Sequence, residues 1–251
     1  MGEVKRAARR VSELRNVAAV VVGAGQGRRM GGEDKTFLPL LGKPLLSYAV
    51  DALEACPQIS EITLVVGESL ADRCRRLVKR AGWRKVSDIR AGGTVRAASV
   101  RAGLAAVKGA EWVLVHDAAR PLLTPTLVAT GLAAATGAVA AVAAVPVRDT
   151  LKRMRPDQTV EHTVDRSQLW AAQTPQVFRR EALVAAFRRA GAAADDCTDE
   201  GALLESQGIA VRLFPGDPAN IKVTVPADIQ VATALLRYRR ETQEGHDAAL
   251  E

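Results

Sequence analysis

The chain has 251 residues, 48% of them hydrophobic but only 4% aromatic, and its 35 Lys and Arg outnumber 28 Asp and Glu for a formal net charge of +7. That length suits one α/β domain with a sizeable core rather than two full domains, and an interior of Ala, Val and Leu fits parallel strands covered by helices. With so few aromatics there is little sign of base-stacking platforms, and no DNA-reading motif is present, so the positive balance reads as a solvated surface that draws anionic substrates into a cleft.

After a basic arm at 1–16, the apolar residues 17–22 predict a short buried strand. The strand runs into VVGAGQGRRMGGEDK at 21–35, a glycine-rich loop carrying Arg28, Arg29 and Lys35. Small residues leave backbone N–H groups uncovered there, and three cations follow closely, an arrangement suited to polyphosphate. The dinucleotide fingerprint does not fit, because Gly23, Gly25 and Gly27 are evenly spaced and Arg28 takes the third glycine's place. Walker A fails too, because Lys35 and Thr36 follow Asp34. A plain strand-exit turn accounts for the glycines but not for the cations.

Pro44 then opens a helix with Leu46, Ala49, Val50 and Leu53 on one face; residues 61–66 form a strand, 69–80 a helix and 85–89 a weaker strand. This alternation predicts a parallel sheet with right-handed crossovers and ligands at the carboxyl ends of its strands. In AGGTVRAASV at 91–100, Gly92 and Gly93 permit close backbone approach, and Ser99 lies in the first turn of a helix over 96–107. A plain turn would give the same pattern. In WVLVHDAARP at 112–121, a strand over 112–115 delivers Asp117 to the sheet edge that holds the first loop, where a carboxylate can hold Mg²⁺ against nucleotide phosphates. The structural alternative is that Asp117 caps the next turn and pairs with Arg120.

Residues 124–135 predict a helix and 138–147 an Ala/Val strand. The polar, turn-rich stretch 147–176 is unlike a βα unit and reads as a projecting antiparallel arm with Thr150 and Arg166 near its two ends. Such an arm is poorly stable alone, so a dimer is expected. Residues 174–176 turn into a helix at 179–190, and Thr198 is placed as an N-cap with Asp199 and Glu200 in the first turn after it. A strand at 209–214, an extended segment carrying Lys222, a helix at 226–240 and a polar tail at 241–251 complete the chain.

Cys56, Cys74 and Cys197 have no metal or redox spacing and are expected as free thiols of a reducing compartment. The first sixteen residues lack an apolar segment and 132–147 is too short to span a bilayer, so no secretory signal or membrane span is expected and a cytoplasmic protein is. His116, His162 and His246 form no nucleophile-activating arrangement with Ser or Cys. A phosphate acceptor is already anionic and needs no base, so positioning and charge neutralisation by Arg29, Lys35 and Lys222, with Mg²⁺ on Asp117, meet the requirements.

The first loop, small-Ala-Gly-x-Gly-x-Arg-Met followed by Lys, resembles the signature of nucleotidyltransferases with a glycosyltransferase-A-like fold. HDAARP at 116–121, QTPQ at 173–176, TDE at 198–200 and NIKVT at 220–224 narrow the resemblance to the 2-C-methyl-D-erythritol 4-phosphate cytidylyltransferase family, over about residues 17–236. The resemblance implies an α/β, mostly parallel, Rossmann-like sheet flanked by helices with a projecting β-arm. It implies transfer of a cytidylyl group from CTP to the 4-phosphate of methylerythritol, with release of pyrophosphate, in non-mevalonate isoprenoid precursor synthesis.

For the site, the resemblance implies that Gly23, Ala24, Gly25 and Gly27 cradle the triphosphate, that Gly93 and Ser99 hold the cytosine, and that Ala118 touches the nucleotide. Arg29 and Lys35 would stabilise the pentacoordinate phosphorus, Arg166 and Lys222 would orient the attacking phosphate, and Asp117 would carry Mg²⁺. Arg120, Thr150, Thr174 and Thr198 would line the acceptor pocket, with 147–166 interlocking in a homodimer so that Thr150 and Arg166 reach the neighbouring site. The chain departs from the family pattern in VGAG at 22–25, where Pro-Ala-Ala-Gly is usual, in Asp34, where proline is common, and in Thr94, where an acid often stands. A ribitol 5-phosphate cytidylyltransferase shares the loop, QTPQ and NIKVT and stays open as an alternative, although VDRSQLW at 164–170 leans toward methylerythritol. A non-catalytic nucleotide- or nucleic-acid-binding protein is the other alternative.

Overall fold

The computed structural model describes residues 16–25 and 35–248, apart from the side chains of Lys35 and of 243–248. Strand β1 (Val17–Gly23) is an unbroken apolar run, fully buried from Val17 to Val21. A strand apolar on both faces belongs in the middle of a sheet with helices on each side. Accordingly, β1 pairs in parallel with β4 (Ile59–Val66) and with β6 (Trp112–Asp117), and β5 (Val86–Ala91) lies parallel beyond β4. A small hairpin, β2 (Pro39–Leu40) with β3 (Lys43–Pro44), stands apart from this sheet.

On the other side of β6, β10 (Trp170–Arg179) runs antiparallel between β6 and β7 (Ala140–Pro146), and β11 (Arg212–Pro215) lies parallel to β7. Among the described residues the sheet therefore has the order β11-β7-β10-β6-β1-β4-β5, mostly parallel with one reversed strand. The reversed strand corrects the sequence reading, which placed the arm at 147–166 but saw no sheet strand in the polar stretch that runs on to 176. Only β8 (Lys152–Met154) and β9 (Val160–Thr163) form the exposed hairpin, and the chain re-enters the sheet at Trp170. Gln173, Thr174 and Gln176 masked the strand because they are polar, yet all three are buried. Their side chains are engaged: Gln173 donates to Asp217 O at 3.0 Å and Gln176 to Asp199 Oδ2 at 2.9 Å. Each such bond offsets the cost of burying an amide.

Alternate residues of β1 serve the two layers. Val17, Ala19 and Val21 pack with Leu46, Val50 and Leu53 of α1 (Leu45–Glu54), with Leu77 of α2 (Ala71–Ala81) and with Leu132 of α4 (Pro125–Ala135). Ala18, Val20 and Val22 pack with Val100 and Leu104 of α3 (Arg96–Ala106), Phe187 of α5 (Arg180–Ala190) and Leu203 of α6 (Glu200–Glu205). Each buried Val or Leu contributes about 1.5–3 kcal/mol, so the two apolar faces supply most of the driving force.

α7 (Pro226–Ala248) is stapled at its start by Asp228, whose Oδ2 accepts from Thr224 N, Thr224 Oγ1 and Val225 N. It docks through Ala232 and Leu236 on Leu40, Leu122 and Val223. The helix runs past residue 240, where a polar tail was expected, because Arg, Glu and Gln sustain a helix without an apolar stripe. α6 is capped by Asp199, which accepts from Ala202 N at 2.8 Å, and not by Thr198 as the sequence suggested. No helix among the described residues is long and apolar enough to cross a membrane.

Candidate active site

β1 and β6 run side by side and finish together, with Val22 opposite Asp117 in the register. The chain leaving β1 and the chain leaving β6 therefore open on one cleft at the carboxyl edge of the sheet. Gly23, Ala24 and Gly25 line it, with Gly93 and Ser99 from the second loop, Asp117 from β6 and Lys222 from the segment before α7. Residues expected from widely separated motifs thus converge. Gly27, Arg28 and Arg29 lie outside the described residues. Lys35 opens a short 3₁₀ turn, Lys35–Phe37, which Thr36 ties to the end of β1 by donating from Oγ1 to Gly23 O at 2.7 Å.

The two glycine loops touch. A Cβ on Gly92 would fall 2.0 Å from Ala24 Cβ, and one on Gly93 would fall 2.5 Å from Ala98 Cβ. Only glycine allows that approach. Ser99 is buried, accepts from Gly93 N at 3.1 Å and donates to Val95 O at 3.2 Å, so it sets the shape of the loop as well as lining the cleft.

Asp117, Arg96 and Lys222 line the cleft, and Glu200 is buried behind Arg96. Lys222 Nζ stands 2.7 Å from Asp117 Oδ2, and Arg96 donates from Nε to Asp117 Oδ1 at 3.1 Å. Arg96 Nη1 also forks onto both carboxylate oxygens of Glu200 at 2.8 Å. Burial disfavours the Asp117 carboxylate, but the Arg96 and Lys222 charges more than offset it and hold the group well below the usual range, ionised at neutral pH. Burial pushes the Glu200 carboxyl up, and the Arg96 fork limits that rise. Burial likewise opposes the Arg96 charge, but Glu200 and Asp117 outweigh it and keep the guanidinium protonated.

His116 braces the same turn. Its ring is fully buried, which lowers it to about 4, so it is neutral at pH 7. Arg120 O can only accept, so His116 Nε2 carries the proton and donates at 3.2 Å, while Nδ1 accepts from Thr174 Oγ1 at 3.0 Å. Thr174 Oγ1 in turn accepts from Asp117 N at 3.1 Å. Asn220 Nδ2 donates to Thr174 O, and Arg120 Nη1 donates to Asn220 O, each at 2.7 Å. Asp117, the QTPQ strand and the Lys222 segment are therefore one hydrogen-bonded unit.

Ala118 is buried and its N–H donates to Val22 O at 2.9 Å, tying the end of β6 to β1, but Ala119 rather than Ala118 lines the cleft. Arg120 and Thr174 lie behind Asp117 in the network just described. Thr150 and Arg166 are exposed on the arm, Thr198 is exposed ahead of α6, and none of the three lines this cleft. Sequence reasoning missed Arg96 and the partner role of Glu200. Arg96 lay inside the quoted GGTVRAAS stretch, but nothing in its spacing says that it turns back onto Asp117.

Asp117 suits a magnesium ion in donor type, since Mg²⁺ takes one or two carboxylates and completes its shell with phosphate oxygens and water. Among the described residues no group of three or more His, Cys, Asp or Glu side chains surrounds one point, so a cation there would depend on the nucleotide for further ligands.

A family model described as 2-C-methyl-D-erythritol 4-phosphate cytidylyltransferase matches residues 17–238. The chain belongs to this family. A curated 2-C-methyl-D-erythritol 4-phosphate cytidylyltransferase of Dehalococcoides mccartyi (strain CBDB1) is 44% identical over 224 residues, 89% of this chain and 97% of that protein. Among solved structures, a 4-diphosphocytidyl-2C-methyl-D-erythritol synthase from Anaerococcus prevotii superimposes with a TM-score of 0.78 at 27% identity, covering 89% of this chain and 99% of that one. A 2-C-methyl-D-erythritol 4-phosphate cytidylyltransferase from Thermus thermophilus gives 0.71 at 30% identity, over 87% and 98%. The cytidylyltransferase family thus spans the whole sheet and both glycine loops, and the chain is a cytidylyltransferase by membership.

Proposed function

We propose that the protein transfers the cytidylyl group of CTP to 2-C-methyl-D-erythritol 4-phosphate and releases pyrophosphate, acting in the cytoplasm as a Mg²⁺-dependent homodimer of the isoprenoid precursor pathway. The observation that carries this reading is the meeting of Lys222 and Asp117, 2.7 Å apart, in the cleft lined by Gly23 and Gly93.

In this reading the Gly93 loop receives the base and the end of β1 receives the phosphates, so the α-phosphorus faces Lys222. Lys222 orients the acceptor phosphate, whose oxygen attacks while pyrophosphate departs in line. Arg96 and Lys222 at the floor are already paired with Glu200 and Asp117. Neutralising a triphosphate then falls to cations added to that floor: Arg29 and Lys35 of the first loop and the ion on Asp117. Bound there, Mg²⁺ would neutralise phosphate charge and fix the triphosphate's geometry. The hairpin of β8 and β9, with Met154, Val160 and nearby Trp170 exposed, supports an arm that needs a partner surface. We assign that surface to a second copy, with Thr150 and Arg166 completing the neighbour's acceptor pocket. Pyrophosphate release from CTP with the methylerythritol acceptor, in Mg²⁺ and in EDTA, tests the proposal.

A further inference from the structure

Arg96 divides the two oxygens of Asp117. Oδ1 is taken by Arg96, a quarter exposed, and Oδ2 by Lys222, whose side chain is 37% exposed. The Arg96 side is fixed: its guanidinium is forked onto Glu200, whose side chain is 2% exposed. The Lys222 side is a single contact at the cleft wall. A carboxylate held in this way has one oxygen locked into the protein and one that an incoming cation can take.

We propose that Arg96, braced by Glu200, is a positioning residue that fixes which oxygen of Asp117 faces the nucleotide and its metal ion. The proposal rests on the reading of Asp117 as a metal ligand given above. The competing view is that Arg96 and Glu200 merely tie α3 to α6. Buried ion pairs are weak sources of stability, and replacing both partners by apolar residues of similar volume is often neutral. That allows the two roles to be separated.

The experiment uses the double variant Arg96→Met/Glu200→Met. It removes one positive and one negative charge, so the summed charge near Asp117 is unchanged while the brace and the Arg96 contact to Oδ1 are lost together. Because Arg96 also helps to keep Asp117 ionised, the measurement is made at pH 7.0 and 8.5, and a loss of positioning persists at the higher pH. The readout is the metal-dependent gain in CTP affinity, the ratio of the CTP dissociation constant in EDTA to that in saturating Mn²⁺, measured by calorimetry on the full chain, alongside the melting temperature. We expect a folded double variant whose gain falls at least tenfold and whose kcat falls with it, while CTP affinity in EDTA stays within a few-fold of wild type. A folded double variant that keeps the wild-type gain and kcat overturns the positioning role. Should the double variant not fold, Glu200→Gln keeps the volume and leaves the Arg96 charge uncompensated beside Asp117. The gain then falls several-fold if the brace matters, and an unchanged gain overturns it. Wild-type protein showing no gain, or Asp117→Asn keeping it, overturns the metal reading itself and this proposal with it.

Discussion

Lys222 Nζ lies 2.7 Å from Asp117 Oδ2, so the cation expected to orient the acceptor phosphate is paired with the acid expected to hold the metal. The backbone makes this meeting durable: Val223 N donates to Ala119 O at 2.8 Å, and Arg120 clasps Asn220 O. In the free protein each charge satisfies the other. Substrate binding must exchange that contact for a phosphate on Lys222 and a cation on Asp117.

Lys222→Ala should therefore raise the acceptor KM at least tenfold and lower kcat by roughly a hundredfold, the usual scale for removing one charge from a transition-state cradle. Asp117 keeps its Arg96 contact in this variant, so the fold should survive. Steady-state kinetics with each substrate varied, together with a CTP titration, checks this. Unchanged acceptor kinetics would remove Lys222 from the site.

Gly93→Ala places a methyl group 2.5 Å from Ala98 Cβ, and the loop must shift to admit it. The CTP dissociation constant should rise by about tenfold or more, with little change in acceptor KM, because misplacing a binding loop by an ångström costs on that order. Equal effects on both substrates would argue against a base-binding role for this loop.

His116 gives a pH signature. Its folded value of about 4 lies below the ordinary 6.5, so as pH falls the unfolded chain takes up this proton first. The contribution of neutral His116 is complete above about pH 6.5 and is lost progressively toward pH 4, on the order of 3 kcal/mol in all. Glu200, raised by burial, works in the opposite sense at the acid end of that range. Thermal melts at pH 7.0 and 5.5 should show wild type losing stability, and His116→Gln should be less stable at pH 7.0 but flatter between the two. A wild type as stable at pH 5.5 as at 7.0 would contradict a buried neutral imidazole.

Much of this site was legible in the sequence, for a physical reason. A buried parallel strand delivers whatever follows it to one edge, so VVGAG at the end of and after β1 and HDAARP in and after β6 had to meet there. β10 was not legible, because Gln173, Thr174 and Gln176 look like loop residues until their partners Asp217, His116 and Asp199 are known. Arg96 and Glu200 escaped notice for the same reason: each has an ordinary local explanation, a helix surface and a first-turn acid, and only the tertiary fold joins them.

The arm offers a test by complementation. Lys35→Ala and Arg166→Ala should each abolish most turnover alone, Lys35→Ala with little loss of CTP affinity. If Arg166 serves the neighbouring site, a mixed dimer holds one intact site, and random mixing restores about a quarter of wild-type activity. No recovery on mixing would place Arg166 in its own subunit's site or in none.

The most direct test of the central claim is pyrophosphate release from CTP with Mg²⁺, measured side by side with 2-C-methyl-D-erythritol 4-phosphate and with ribitol 5-phosphate. Rapid release with the methylerythritol acceptor, lost in Asp117→Asn and in EDTA, is the predicted result. Turnover with ribitol 5-phosphate alone, or with neither acceptor, would contradict it.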